Sequence, residues 1–191
     1  MMESSEEALL PTSHGNFNAR SFRDADGREH LAVYKGDLKR ENVPVRVHSK
    51  CTTGDTFHSL RCDCGEQLAR ALEHIEKEGF GVLVYLDQEG RGIGLLNKVN
   101  AYRLQENGSD TVEANEELGF PSDMRDYRVA ADILKSLGVV SVLLMTNNPG
   151  KIKGLVEHGV TVSDRMPLKV EPNDFNRKYL DTKKLRMDQL L

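Results

Sequence analysis

The chain has no tryptophan, only 6% aromatic residues, three cysteines and no apolar run long enough to span a bilayer. Each shortage excludes something. Three cysteines cannot build a disulfide framework, and thiols left unpaired agree with a reducing compartment. The opening MMESSEEALL lacks both a basic flank and an extended hydrophobic stretch, so a soluble, cytoplasmic protein with no membrane partner is expected. There is no excess of positive charge either. A formal net charge of -4 argues against general affinity for a nucleic-acid backbone, so no nucleic-acid polymer is expected as a partner. Internal repeats, low-complexity tracts and linkers rich in Pro, Gly or Ser are also missing. One domain over residues 1–191 is therefore expected, long enough to bury a core without disulfides, with about residues 1–9 mobile.

All three cysteines fall within CTTGDTFHSLRCDC, from Cys51 to Cys64, which suggests one shared role. A disulfide needs Cα atoms about 5–6 Å apart, but an extended Cys62-x-Cys64 sends its side chains to opposite faces, and pairing would leave one thiol over. Thiolate coordination of one metal fits better. Zinc takes sulfur readily and has no redox chemistry of its own. Spacing alone leaves two forms of such a site open. Three cysteines can leave a fourth position for water, as catalytic zinc sites do, or His48 or His58 can close the site as a structural knot. A set of reactive or merely buried thiols is the third reading.

Apolar patterning then places the elements. Short runs such as HLAVYKGD and VPVRVH, broken by DADG and KREN, predict antiparallel strands from Gly15 to about Val47. Leu68, Ala71, Leu72 and Ile75 recur at helical spacing over residues 66–77, and Gly79 follows as a stop. GVLVYL (81–86) and VVSVLLMT (139–146) read as buried strands. Helices are predicted over 95–105, over 125–137 and after Pro149. Alternating strands and helices imply an α/β class with crossover units: a mixed sheet core with flanking helices and a strand-rich N-terminal part.

Two loops follow the buried strands, where α/β proteins gather their ligands. DQEGRGIGL (87–95) offers three glycines for close backbone approach and the guanidinium of Arg91, without the spacing of a dinucleotide fold or a P-loop. The carboxylate of Glu89 suits the paired N–H donors of a guanine edge, with Gln88 beside it. TNNPGKIK (146–153) places Thr146, Lys151 and Lys153 near a helix start, where anions are favoured. Each loop reads equally as a plain turn. Arg46, Lys50, Arg61, Arg91, Lys98, Arg125, Lys151 and Lys153 lie in or beside these segments and could converge on a polyphosphate, although any one of them alone reads as a solvated surface cation. Asp123, near a predicted helix start, suits a cap.

Together, RVHSKCTTGDTFHSLRCDCGEQL, QEGRGIGLLNK, AYRLQENGSDTVEANEELGF, SDMRDY, TNNPGK and YLDTKKLRM resemble the GTP cyclohydrolase II family, in that family's order and from about Leu10 to Leu190. The resemblance implies a mixed α/β fold, a homodimer, one zinc ion per subunit and Mg²⁺ with the substrate phosphates. It makes Cys51, Cys62 and Cys64 the zinc ligands and leaves the histidines out. It implies that zinc activates the water attacking C8 of guanine, that a second hydrolysis releases formate, and that pyrophosphate leaves as well, the first step of riboflavin biosynthesis. By position, Arg46, Val47, His48, Ser49, Lys50, Gln67, Glu89, Gly90, Arg91, Thr111, Thr146 and Lys151 would bind GTP. Tyr102 would position water. Asp123 and Arg125 match the family's proton acceptor and nucleophile, with a phosphate clamp as the simpler role for a guanidinium.

Three thiolates outweigh the charge of zinc, so neighbouring cations or hydrogen bonds are expected to help; Arg61 beside Cys62 is a candidate by sequence and reads equally as a phosphate contact or a surface residue. Lys50 stands where the family usually has glutamate, and Asp87 where arginine is common, changes that could alter which phosphates or metal ions are held or could compensate each other. Two alternatives therefore accompany the leading reading: a same-fold GTP hydrolase that retains the formyl group or serves another pathway, and a non-catalytic zinc-containing nucleotide-binding module.

Overall fold

Period-two patterning in the first half and apolar runs in the second build one mixed sheet of eight strands in the computed structural model, which describes residues 2–121, 123–186 and 190. Ser122, which opens SDMRDY, and Met187, which ends YLDTKKLRM, lie outside the described residues. The chain divides into two compact units, the first formed by Met1–His48, Leu68–Asp87 and Asp126–Leu168, the second by Ser49–Gln67, Gln88–Arg125 and Lys169–Leu191. Neither is contiguous. Interleaved segments need no linker, which is why an expectation of one domain follows from a sequence without visible boundaries.

The first unit carries the sheet: β1 (Glu3–Ser4), β2 (Ala8–Thr12), β3 (Gly15–Arg23), β4 (Glu29–Lys35), β5 (Val43–Ser49), β6 (Gly81–Leu86), β7 (Val142–Met145) and β8 (Val162–Met166). Their spatial order is β1-β3-β4-β6-β5-β7-β8, with β2 also on β3. The N-terminal segment, expected to be mobile, is instead paired: Glu3 lies opposite Arg23, and Ala8 to Thr12 run antiparallel to Ala19 to Gly15. Ladder hydrogen bonds to β3 hold residues whose side chains alone would not. The antiparallel expectation holds for β3 with β4 but not for β5. β4 pairs with β6, while β5 runs parallel to β7, with Val43 opposite Val142 and Val45 opposite Leu144. Burial along nearly all of VPVRVHS suits such a parallel strand covered on both faces.

Alternation along the strands sends side chains into two cores. Ala32, Tyr34, Val82, Val84, Leu86, Val142 and Leu144 pack with Ala130, Ile133 and Leu134 of α5 (Arg128–Ser136) and Leu155 of α6 (Pro149–Glu157). On the other face, Phe17, Val33, Leu83 and Met145 pack with Ala71 and Ile75 of α2 (Cys64–Glu78). Burying each such Val, Leu, Ile or Phe contributes about 1.5–3 kcal/mol. Gly79 and Gly138 close α2 and α5 in the left-handed region, at φ 77° and 78°.

The second unit is helical. It contains α1 (Thr52–Asp55), a 3-10 turn (Glu89–Gly92), α3 (Gly94–Glu106), α4 (Thr111–Glu117) and α7 (Arg177–Arg186). α3 packs on the 3-10 turn and on α4, and α4 packs on α7. Asp110 opens α4 with a capping box completed by Glu113, and Arg186 of α7 pairs with the same Asp110. No helix among the described residues is long and apolar enough to cross a membrane.

Candidate active site

The three thiols meet. Cys51 precedes α1, Cys64 begins α2, and the Sγ atoms of Cys51, Cys62 and Cys64 all lie within 4.8 Å of one another. Cys51 and Cys62 Sγ are 3.7 Å apart. A tetrahedral centre with metal–sulfur bonds of about 2.3 Å has sulfur edges of about 3.8 Å. The backbone is shaped for this closeness: a Cβ at Gly54 would lie 2.8 Å from Cys62 Sγ and 3.1 Å from Cys51 Sγ. Among the described residues neither His48 nor His58 joins the group, and His58 is exposed. The donor set therefore fits a metal ion that favours sulfur, and among the described residues no histidine, aspartate or glutamate joins the three sulfurs.

The charge around the thiols comes from α3. Lys98 Nζ donates to Cys51 Sγ at 3.0 Å and to Glu89 Oε1 at 2.7 Å. Arg61, the candidate by sequence, instead pairs with Glu106 and lies over the Tyr102 ring. Sequence proximity to Cys62 did not bring its flexible side chain to the sulfur. Hydrogen bonds from Cys62 and Cys64, aided by Lys98, hold the Cys51 thiol far below its ordinary range. Its ionisation in turn pushes Cys62 up to about 11 and raises Cys64 well above the usual thiol value. Burial works to neutralise Lys98, but the Cys51 and Glu89 charges outweigh it and keep the ammonium protonated.

Glu89 is enclosed by donors. Its Oε2 accepts from Thr52 N at 2.6 Å, and its Oε1 accepts from Gly90 N at 3.0 Å as well as from Lys98. The turn that follows is strained, since Arg91 adopts φ 62° without being glycine. Among the described residues, Nη1 and Nη2 of Arg91 are buried with no hydrogen-bond partner. Tyr102 Oη lies 3.0 Å from Thr53 Oγ1, which is 3.8 Å from Cys51 Sγ.

Asp123 does not cap a helix. Its Oδ1 accepts from Arg125 N at 3.0 Å and Arg125 Nε at 2.8 Å, and its Oδ2 pairs with Arg125 Nη2. Burial raises the carboxyl, yet Arg125, with help from Arg91, holds it below its ordinary value and therefore ionised. Met124 N donates to the Arg91 carbonyl at 3.1 Å, which ties this loop to the strained turn. Gln67 Nε2 donates to Asp63 Oδ2 at 2.6 Å, and Lys183 Nζ donates to Asp63 Oδ1 at 3.0 Å. Thr111 begins α4 and lines a cavity of about 310 Å³ with Arg61, Glu106, Asp174, Phe175 and Tyr179.

In the first unit, the ends of the parallel pair β5 and β7 collect another set. Arg46 Nη1 donates to the Met145 carbonyl at 3.0 Å, and Lys151 Nζ donates to the Val47 carbonyl at 2.7 Å. Thr146 Oγ1 accepts from Asn148 N, and Asn148 Oδ1 caps α6 through Gly150 N. The His48 ring stacks on Tyr85 with centroids 5.5 Å apart. Val47 points into the core, so its backbone is what it offers. Ser49 and Lys50 lead from β5 towards α1. Lys153, grouped with these cations by sequence, is exposed and pairs with Glu157.

Sequence reasoning overlooked Thr53, Asp63 and Lys183. Asp63, set between Cys62 and Cys64, carried a local signal; Lys183, 120 residues away, carried none.

The sequence pattern of the family described as GTP cyclohydrolase II matches residues 3–167. The chain belongs to that family. It is 54% identical to the riboflavin biosynthesis protein RibBA of Chlorobium phaeovibrioides, over 100% of this chain and 47% of that protein. It is 55% identical to RibBA of Bacillus mycoides, over 97% of this chain and 47% of that one. The chain thus spans about half the length of the curated relatives it matches. A crystal structure of RibBX, a two-domain 3,4-dihydroxy-2-butanone 4-phosphate synthase from A. baumannii, is 20% identical with a TM-score of 0.47, covering 89% of this chain and 40% of that one. The cysteine trio, the QEGRG turn and the Asp123–Arg125 pair all belong to the second unit.

Proposed function

We propose that this chain opens the imidazole ring of GTP, giving a diamino-pyrimidinone ribosyl phosphate, formate and pyrophosphate, the first step of riboflavin biosynthesis. The observation carrying this reading is the convergence of Cys51, Cys62 and Cys64, joined by no histidine among the described residues, in a chain that matches the GTP cyclohydrolase II pattern over residues 3–167. Zinc is the metal that best suits three sulfur donors, and when bound it supplies a Lewis-acidic centre for hydrolysis at C8.

The chain's own residues would divide the remaining work. Tyr102, linked to the thiols through Thr53, orients water beside the metal loop. Arg91, whose terminal nitrogens have no hydrogen-bond partner among the described residues, offers its donors to phosphate oxygens. Arg46, Val47, His48, Ser49, Lys50, Gln67, Glu89, Gly90, Thr111, Thr146 and Lys151 complete the nucleotide contacts by family position. For Arg125 the pairing with an ionised Asp123 favours a phosphate clamp over a nucleophile, because a carboxylate stabilised by a guanidinium is a poor acceptor for that group's proton. Mg²⁺ with the outgoing phosphates and a homodimer with one zinc per subunit rest on the family resemblance, and a cytoplasmic location on the composition and the unpaired cysteines.

Incubation with GTP and Mg²⁺, with formate, pyrophosphate and zinc content measured together, tests the proposal. Equal release of formate and pyrophosphate by zinc-loaded protein is expected. Pyrophosphate without formate would point to a formyl-retaining hydrolase, and bound zinc without turnover to a nucleotide-binding module.

A further inference from the structure

We propose that Lys98 is a positioning residue of the metal loop, balancing the charge of the Cys51 thiolate and coupling that sulfur to Glu89. The inference rests on the thiolate metal site of the proposed function and adds a residue that its ligand set does not contain.

Three thiolates bring three negative charges to a divalent ion, leaving the centre formally anionic. Lys98 is the cation placed to offset this. Its side chain is only 11% exposed, its Nζ lies 3.0 Å from Cys51 Sγ, and its position on α3 is 47 residues from that cysteine. Burying a long ammonium is costly unless it is paired and hydrogen-bonded, and here two anions share it. The second, Glu89, is itself 6% exposed and accepts from Thr52 N, the residue after Cys51. Sulfur, ammonium, carboxylate and the first backbone N–H of α1 thus form a closed ring around the Cys51 backbone. Gly90 sets the approach: a Cβ there would meet Lys98 Cβ at 3.1 Å.

An N–H···S hydrogen bond withdraws electron density from the sulfur. The ligand then donates less charge to the metal, which keeps a centre rich in sulfur electrophilic. Removing an outer-shell partner of a metal ligand typically changes metal affinity by about 10–100-fold, and here the loss would come from leaving an anionic, loosely held sulfur site without its counter-charge.

Cobalt(II) substitution of the full chain reads this directly, because thiolate-to-cobalt charge transfer gives an absorption band whose energy follows the electron density on sulfur. Lys98→Met keeps the aliphatic stem while removing the charge and the donor. It should shift the band to lower energy and weaken zinc binding by about 10–100-fold in chelator competition. Lys98→Arg should restore both in part. If the unsubstituted protein shows no thiolate band, the metal site itself is wrong and the inference falls with it. If that band is present and Lys98→Met leaves its energy and the zinc affinity unchanged, the inference alone is overturned. Loss of band intensity that Lys98→Arg does not restore also overturns it, since Lys98 would then only prop the loop.

Discussion

Asp123 grips Arg125 through both carboxylate oxygens, one receiving Nε at 2.8 Å and the other Nη2. The pair leaves a fixed guanidinium beside an ionised acid, an arrangement suited to meeting developing phosphoryl charge.

Arg125→Ala should lower pyrophosphate release by about 10²–10³-fold, the usual loss when one electrostatic contact to a transition state is deleted. Arg125→Lys should keep part of the rate, since charge survives without the fork. Rapid quench of the unsubstituted protein should trap no phosphoryl-arginine. Accumulation of that adduct at a competent rate would restore the nucleophile reading.

Cys62→Ser should remove the metal and with it formate release, because a serine hydroxyl is a poor replacement for a thiolate. Pyrophosphate release should suffer less, as the phosphorus centre is chemically separate from C8. Elemental analysis beside a two-product assay distinguishes this from general collapse. Full metal content with normal formate production would refute the ligand assignment.

Gly54→Ala tests the shape of the metal loop. Its new methyl group would sit 2.8 Å from Cys62 Sγ and 3.1 Å from Cys51 Sγ. Overpacking of this kind costs about 1–3 kcal/mol. Metal titration should show weakened binding, while the far-ultraviolet circular dichroism of the sheet stays as it was. Unchanged metal affinity would mean that the loop relaxes freely.

Asp110 links stability to acid. Burial raises its carboxyl, but backbone donors from Glu113 and Val112, together with Arg186, hold it below its ordinary value. A depressed folded-state value means stability that is present above the unfolded-state value of about 3.9 and is lost as pH falls through the folded-state value. Asp110→Ala should cost about 1 kcal/mol in urea unfolding at neutral pH. The gap from the unsubstituted protein should narrow below about pH 4. A constant gap across that range would show that the carboxylate charge contributes nothing.

Much of the fold follows from periodicity. GVLVYL sends Val82, Val84 and Leu86 to one core and Leu83 to the other, as alternation requires. Leu68, Ala71, Leu72 and Ile75 pack one face of α2 for the same reason. Strand partners are a different matter. VPVRVHS carries no mark that directs it to β7, because pairing is chosen between segments that lie about 100 residues apart. The paired N-terminal strands were hidden too, since ladder bonds belong to the backbone and leave little trace in composition.

Residue type and short spacing were enough to mark the sulfur trio, since its members lie within one loop and one helix start and their chemistry admits few uses. The choice of counter-ion lay beyond such local information. Arg61 adjoins Cys62 in sequence yet turns to Glu106, while Lys98 reaches Cys51 because α3 presents it there. Ligand identity is a property of side chains, but which charge neutralises a buried anion depends on distances that arise only when separated segments pack together.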